Sequence, residues 1–345
     1  MNLDLLNGNK IKMTRGIEAC CPLCNSESVN VLHKYASKDA STSLLGSEDQ
    51  RFTLLVEEIE QLWQWKNCYY LQCENCSLVF ASPFKAGNES VYELIYANTA
   101  GYSKWKWEYE EAYQAIQKHI IDDRMHSPSL LEIGAGIGAF VKRISKHLIN
   151  RVDIVTTELA SSGRSEILKS GIECTDSELI DLCIPKNKEK FDFLCLFQVL
   201  EHLDNLHDIF NSINYLLKQG GWVIIAVPNS SHREFFERLG YFEDIPPIHI
   251  TRWNYESFQR LALNYNWKIL QHNREPNRLY RNLSKYIRFK YKDNIMVKHI
   301  NKIENNIIRN SAKILLFTTL TFLNLAKIKS LSDSNNGISQ LVIIP

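Results

Sequence analysis

The 345-residue chain has almost no net charge: 40 Lys and Arg stand against 39 Asp and Glu. A strongly basic face for nucleic acid is therefore not expected, and a nucleic-acid partner is set aside. Long hydrophobic runs are also missing. The most apolar stretch, 314–326, has 13 residues, short of the roughly twenty a membrane-crossing helix needs. Met1-Asn2-Leu3-Asp4-Leu5-Leu6-Asn7 lacks a basic start followed by an apolar run, so no secretory leader is expected and the location is read as cytoplasmic. Repeats and long low-complexity tracts are absent too. What remains is 45% hydrophobic content, enough for a sizeable core and room for more than one domain.

Glycine is sparse but concentrated. Leu130-Leu131-Glu132-Ile133 is an apolar run with an acid near its end. Gly134, Gly136 and Gly138 follow, and then an amphipathic segment with Phe140, Val141, Ile144 and Leu148. A strand, a glycine turn and a helix make the geometry in which a ligand approaches main-chain N–H groups. Val152–Thr157 reads as a second strand, and Glu158 at its tip can accept bonds from both hydroxyls of a ribose. An adenosine-containing cofactor follows. Gly134 to Ala139 also fits the Gly-x-Gly-x-x-Ala form of a dinucleotide fingerprint, so the glycines alone do not choose the cofactor.

Later residues choose. Phe191–Phe197 reads as a buried strand that breaks into Gln198-Val199-Leu200-Glu201-His202, and Gly220-Gly221 turns into a further buried run, Trp222–Val227. In this order the segments resemble the class I S-adenosylmethionine-dependent methyltransferases, over about residues 129–270 and a last strand near 340–344. A nicotinamide enzyme shares the first two features and has no reason to carry the others. The expected fold is a three-layer, Rossmann-like α/β sheet, mostly parallel, with strands at 130–133, 152–157, 172–174, 191–197, 222–227, 267–271 and 340–344. The resemblance makes the last one antiparallel.

In such sheets ligands lie beyond the carboxyl ends of the strands. By resemblance, Glu132, Gly134, Gly136 and Gly138 shape the methionine end of the cofactor site and Glu158 takes the ribose. Asp176 accepts from the adenine amino group, and Phe197 and Gln198 lie beside the methyl group. Two histidines suit proton removal from an acceptor near neutral pH: His202, and His249 in Pro246-Pro247-Ile248-His249. The latter resembles the Pro-Pro-x-His loop over the acceptor pocket of this family. Its sugar C-methylating members carry a Glu-His pair there, whereas Ile248 occupies the acidic position here, which argues against C-methylation.

Nine cysteines without a secretory leader point to thiols or metal ligands. Cys21-Pro22-Leu23-Cys24 and Cys73-Glu74-Asn75-Cys76 are two Cys-x-x-Cys turns, together a tetrahedral donor set for structural zinc. The strand-like Tyr69–Leu71 and Leu78–Phe80 flank the second pair, as in a zinc ribbon. Between the pairs, Ser37–Gln50 reads as a loose polar stretch and Phe52–Trp65 as a helix. The module resembles that of methyltransferases acting on sugar nucleotides, which implies a small carbohydrate-like acceptor methylated on oxygen or carbon. The reading from another class is a zinc-ribbon nucleic-acid binder without activity, against which the intact glycine turn and the neutral ribbon region count. Residues 91–128 read as a helical aromatic linker or lid; Tyr102, after Gly101, is its candidate for covering the sulfonium, because ring faces attract cations. The expected domains are thus 1–90, 91–128, 129–274, a basic and apolar helical insertion at 275–336, and a final strand at 337–345. That insertion has two readings: peripheral contact with anionic membrane lipid, which would suit a lipid-linked substrate, or packing on the catalytic domain or in a homodimer. Packing is favoured.

Overall fold

The computed structural model describes residues 19–96, 105–148, 152–238, 241–242, 244–277, 279–291, 304, 306–323 and 337–344. They fall into two compact units: Met1–Ser230, Glu243–Asn273 and Ser339–Pro345 in the first, Ser231–Phe242 and Arg274–Ile338 in the second.

The first unit holds two sheets. The smaller is antiparallel, with β1 (Val29–Ala36), β2 (Asn67–Cys73) and β3 (Val79–Ser82) in that order. Helices α1 (Ser37–Leu44) and α2 (Phe52–Trp63) lie between β1 and β2. The expected loose stretch after Ser37 is thus partly helix. Small residues explain it: Ser37, Ala40 and Ser41 are buried, and the Ser41 hydroxyl donates to the Ser37 carbonyl at 3.0 Å, so polarity here is not a sign of solvent. After α3 (Glu89–Tyr96) and α4 (Trp107–Asp122) the large sheet begins.

Its strands are β4 (Ser129–Ile133), β5 (Asp153–Thr157), β6 (Glu173–Thr175), β7 (Phe191–Phe197), β8 (Leu217–Pro228), β10 (Gln271–Arg274) and β11 (Ser339–Ile344). They are ordered β10-β11-β8-β7-β4-β5-β6. β6, β5, β4, β7 and β8 run parallel, and β11 is antiparallel to β8. Helices α5 (Ala139–His147), α6 (Ser161–Leu168) and α7 (Leu206–Leu216) connect the parallel strands. The strand expected at 267–271 lies slightly later, at β10. Period-two alternation divides the core. Leu130, Phe193, Cys195 and Phe197 pack with α4 and α5 on one face. Leu131, Ile133, Leu194 and Leu196 pack on the other, in one cluster with Cys21, Leu71, Leu78 and Phe80 of the small sheet. The cysteine module thus shares a core with the large sheet.

Between β8 and α9 (Tyr255–Asn264), a two-residue strand, β9 (Thr251–Arg252), leaves the large sheet and pairs antiparallel with β3, opposing Phe80 and Val79.

In the second unit, Phe236 of α8 (Ser230–Arg238) packs with Leu283, Tyr286 and Ile287 of α10 (Leu279–Lys290) and Leu320 of α11 (Asn306–Leu323). Ile314 and Leu315 of α11 are exposed. Among the described residues no helix is long and apolar enough to cross a membrane.

Candidate active site

The turn after β4 needs glycine. Gly134, Gly136 and Gly138 have φ of +62°, +59° and +72°, the left-handed region that side chains disfavour. Space is short as well: a Cβ on Gly134 would stand 2.8 Å from Val199 Cγ2, and one on Gly138 2.7 Å from Ile167 Cγ1. The turn is thus pressed against both the chain that leaves β7 and helix α6. The Ala135 N–H donates to the Thr157 carbonyl at 2.9 Å, which fixes the turn to the end of β5.

Glu158 is the next residue. Its Oε2 accepts from the Gly136 N–H at 2.6 Å and its Oε1 from the Ala160 N–H at 2.8 Å. The structure therefore brings the strand-end acid directly to the glycine turn. A carboxylate oxygen accepts more than one bond, so capacity for two ribose hydroxyls remains. Gly163 completes the packing: a Cβ there would lie 2.5 Å from the Gly136 carbonyl oxygen and 2.9 Å from Glu158 Cγ. The sequence reading passed over Gly163. Its signal was a glycine in the first turn of the helix after the strand-end acid.

Asp176 is exposed and pairs with Arg164, Nη2 to Oδ2 at 3.3 Å; Arg164 Nη1 also donates to the Glu158 carbonyl at 3.0 Å. Gln198 has φ of +58° and donates through Nε2 to Glu108 Oε1 at 3.3 Å. Phe197 sits differently from the expectation. Its ring is buried, 4.7 Å from Phe140 and 5.1 Å from Tyr109 between centroids, because it shares the inward face with Phe193 and Cys195. Much of the aromatic linker serves packing in the same way: the Arg143 guanidinium lies 4.2 Å from the Trp105 ring centroid and 4.9 Å from that of Tyr113. Tyr102 lies outside the described residues.

Glu132 is 1% exposed on that same inward face. Burial raises its carboxyl from about 4.5 to about 8, so it is mostly uncharged at neutral pH. Its Oε2 has no hydrogen-bond partner among the described residues.

The two histidines, 47 positions apart in the chain, meet. Their rings are 4.6 Å apart between centroids and nearly perpendicular, at 86°. His202 ends the short helical turn Leu200–His202. Its Nδ1 lies 2.7 Å from the Ile248 carbonyl oxygen and 3.1 Å from the Tyr92 hydroxyl. Burial holds its pKa below the ordinary histidine value. Glu201 beside it is 1% exposed, with Oε1 3.9 Å from His202 Nε2. His249 Nε2 lies 3.9 Å from Asp244 Oδ1. An acid five residues before His249 therefore lies near its ring, while position 248 itself is Ile.

The small sheet holds this loop. The Tyr70 hydroxyl donates to the carbonyls of His249 and Asp244. The Gly87 N–H donates to the Pro247 carbonyl and the Ala81 N–H to that of Ile250, both at 2.8 Å; the Ile250 N–H donates to the Glu201 carbonyl at 2.9 Å. β9 then continues the pairing.

At the other end of β2 and β3, the four thiols converge. Cys21 Sγ is 3.5 Å from Cys76 Sγ, Cys24 Sγ is 3.5 Å from Cys73 Sγ, and all four lie within 4.8 Å of one another. Four sulfurs about 2.3 Å from one zinc stand roughly 3.8 Å apart, so the set fits a tetrahedral ion. Asn25 and Ser77, each just after a second cysteine, have φ of +56° and +60°. That curl lets the Asn25 and Ser77 N–H groups donate to the Cys21 and Cys73 carbonyls at 2.9 Å. The Cys76 thiol donating to Cys21 holds the latter down to about 5, while burial pushes Cys73 up.

Residues 105–272 match the methyltransferase domain family. An uncharacterized protein of Methanocaldococcus jannaschii is 33% identical over 130 residues, 36% of this chain and 57% of that protein. A ubiquinone biosynthesis O-methyltransferase of Glaesserella parasuis is 31% identical over 118 residues, 34% of this chain and 48% of that protein. The chain thus spans about half the length of these curated relatives. Among solved structures, an S-adenosylmethionine-dependent methyltransferase from Archaeoglobus fulgidus is 14% identical, with a TM-score of 0.42 over 68% of this chain and 93% of that one. Phosphoethanolamine N-methyltransferase 2 of Haemonchus contortus is 16% identical, with a TM-score of 0.41 over 73% and 55%. Residues 105–272, about half of the chain, are thus similar to methyltransferase domains.

Proposed function

We propose that the protein transfers the methyl group of S-adenosylmethionine to a hydroxyl of a small carbohydrate-like acceptor. The observation that carries this reading is Glu158 tied to the glycine turn at 2.6 Å, with the His202 and His249 pair on the turn and loop that follow the neighbouring strands β7 and β8. Gly134, Gly136, Gly138 and Glu158 hold the nucleoside and methionine portions, Asp176 the adenine edge, and Gln198 borders the methyl group. His249 and His202 are the catalytic residues on the acceptor side. The acceptor must lose a proton as its oxygen takes the methyl, and the protein's task is alignment together with activation of that oxygen. Cys21, Cys24, Cys73 and Cys76 hold one structural zinc. Closed by four thiolates, the ion has no open position and does no chemistry.

The carbohydrate-like acceptor is supported by the resemblance of the cysteine module and of the Pro246–His249 loop to those of sugar-nucleotide methyltransferases. A hydroxyl rather than a carbon acceptor is supported by Ile248 at the acidic position and by the O-methyltransferase named among the relatives. The test is release of S-adenosylhomocysteine by the purified chain, with sugar nucleotides and with whole-cell metabolite extract. Acceptor-dependent release that falls at least 100-fold in His249→Ala, at unchanged cofactor affinity, is the expected result. A folded chain without measurable affinity for S-adenosylmethionine refutes the reading.

A further inference from the structure

Beyond the four thiols, one other group of side chains among the described residues has the composition of a metal site. A carboxylate oxygen of Glu201, an imidazole nitrogen of His202 and one of His249 lie within 4.8 Å of one another. We propose that these three residues bind a single divalent first-row cation at the acceptor side of the site. The inference rests on the methyltransferase reading for what the cation does, but not for whether it binds.

Three observations carry it. The first is spacing. His202 Nε2 stands 3.9 Å from Glu201 Oε1, too long for a hydrogen bond between those two atoms. Donors about 2.1 Å from one ion stand roughly 3 to 4 Å apart, so the trio is at coordinating distance or a small side-chain rotation from it. The second is the orientation of His202. Its Nδ1 lies 2.7 Å from the Ile248 carbonyl oxygen, which can only accept. Nδ1 therefore carries the proton, and Nε2 presents a lone pair toward Glu201. A metal-bound histidine is oriented in this way, its second nitrogen donating to a carbonyl. The third is rigidity. Glu201 and His202 sit in one helical turn, and the Ile250 N–H bond to the Glu201 carbonyl at 2.9 Å ties that turn to the loop carrying His249. Asp244, 3.9 Å from His249 Nε2, adds a negative charge beside the set.

Two imidazoles and a carboxylate favour ions such as Mn²⁺, Fe²⁺ or Zn²⁺ over the soft-ligand chemistry of the cysteine cluster. Three protein donors leave coordination positions open. An acceptor hydroxyl taking one of them would be acidified. Its proton passes to water, its oxygen forms the bond to the methyl carbon, and the carbon–sulfur bond breaks with its electron pair remaining on sulfur as S-adenosylhomocysteine. No oxidant or reductant is needed.

The probe is Mn²⁺, titrated into the full chain carrying its zinc and followed by electron paramagnetic resonance. Expected are one Mn²⁺ per chain, nitrogen hyperfine coupling from imidazole, and at least ten-fold weaker binding in both Glu201→Gln and His249→Ala. Zinc content and S-adenosylmethionine affinity should be unchanged in those variants. Glu201 is buried, so if its variant does not fold, His249→Ala and the nitrogen coupling decide. Wild-type binding weaker than millimolar, absent nitrogen coupling, or full affinity in His249→Ala overturns the proposal. Those results with S-adenosylmethionine still bound overturn the cation alone. Tight Mn²⁺ binding without any cofactor affinity instead upholds the site and overturns the methyltransferase reading.

Discussion

Replacing Glu158 by alanine should separate its two roles. In the free protein its carboxylate accepts from the Gly136 and Ala160 N–H groups at 2.6 and 2.8 Å. Both donors lie at a half-buried position where water can replace the carboxylate, so the fold should lose about 1–2 kcal/mol. Binding should lose more. Bonds from ribose hydroxyls to a charged acceptor are worth roughly 1.5–3 kcal/mol, which is about 10- to 150-fold in affinity. Glu158→Gln keeps one acceptor oxygen without the charge and should fall between. Isothermal calorimetry with S-adenosylhomocysteine measures this directly, and a 2′-deoxy analogue closes a double-mutant cycle. The wild-type protein should discriminate against the analogue, and Glu158→Ala should bind both ligands nearly equally. Undiminished affinity in a folded Glu158→Ala would refute the ribose assignment. Undiminished discrimination against the analogue would move the ribose contact to another residue.

Three further outcomes follow from the same structure. Glu132, raised by burial to about 8, keeps its proton in the folded chain while the unfolded chain ionises near the ordinary carboxylate value. Wild-type stability therefore falls as pH rises through that window, and Glu132→Gln should gain on wild type by at most about 1.4 kcal/mol per pH unit; urea midpoints at pH 5, 6.5 and 8 that shift in parallel would exclude this. Cys73→Ser should lose zinc and lower the melting temperature, and because β2, β3 and β9 are paired in series, turnover should fall while cofactor affinity stays within about two-fold. Zinc retained after removal of both Cys73 and Cys76 would contradict the ligand set. Gly163→Ala places a methyl 2.5 Å from the Gly136 carbonyl oxygen and should weaken cofactor binding at least ten-fold by displacing the glycine turn, whereas unaltered binding would show that the turn tolerates the shift.

The centre of the large sheet was legible because β4, β7 and the 223–227 part of β8 are buried on both faces and read as mainly apolar runs. The glycine turn was legible because left-handed backbone at Gly134, Gly136 and Gly138 leaves a compositional trace. Phe197 shows a signal that was present and unused: residues 193, 195 and 197 alternate onto one face, so its ring had to point into the core. The helix Ser37–Leu44 was hidden for the opposite reason, since serines that bond their own backbone look like loop residues. The least legible element is β9. Two residues carry too little pattern to be read as a strand, and their partners Val79 and Phe80 lie about 170 positions earlier. Yet this short pairing, with the Tyr70 hydroxyl on the His249 carbonyl, helps hold the histidine loop beside the turn that carries Glu201 and His202. The glycine turn and Glu158 are joined by a local connection of about twenty residues, and local periodicity reports them. The pair of His202 and His249 is assembled from β3, the turn after β7 and the loop after β8, and only the folded chain brings those three together.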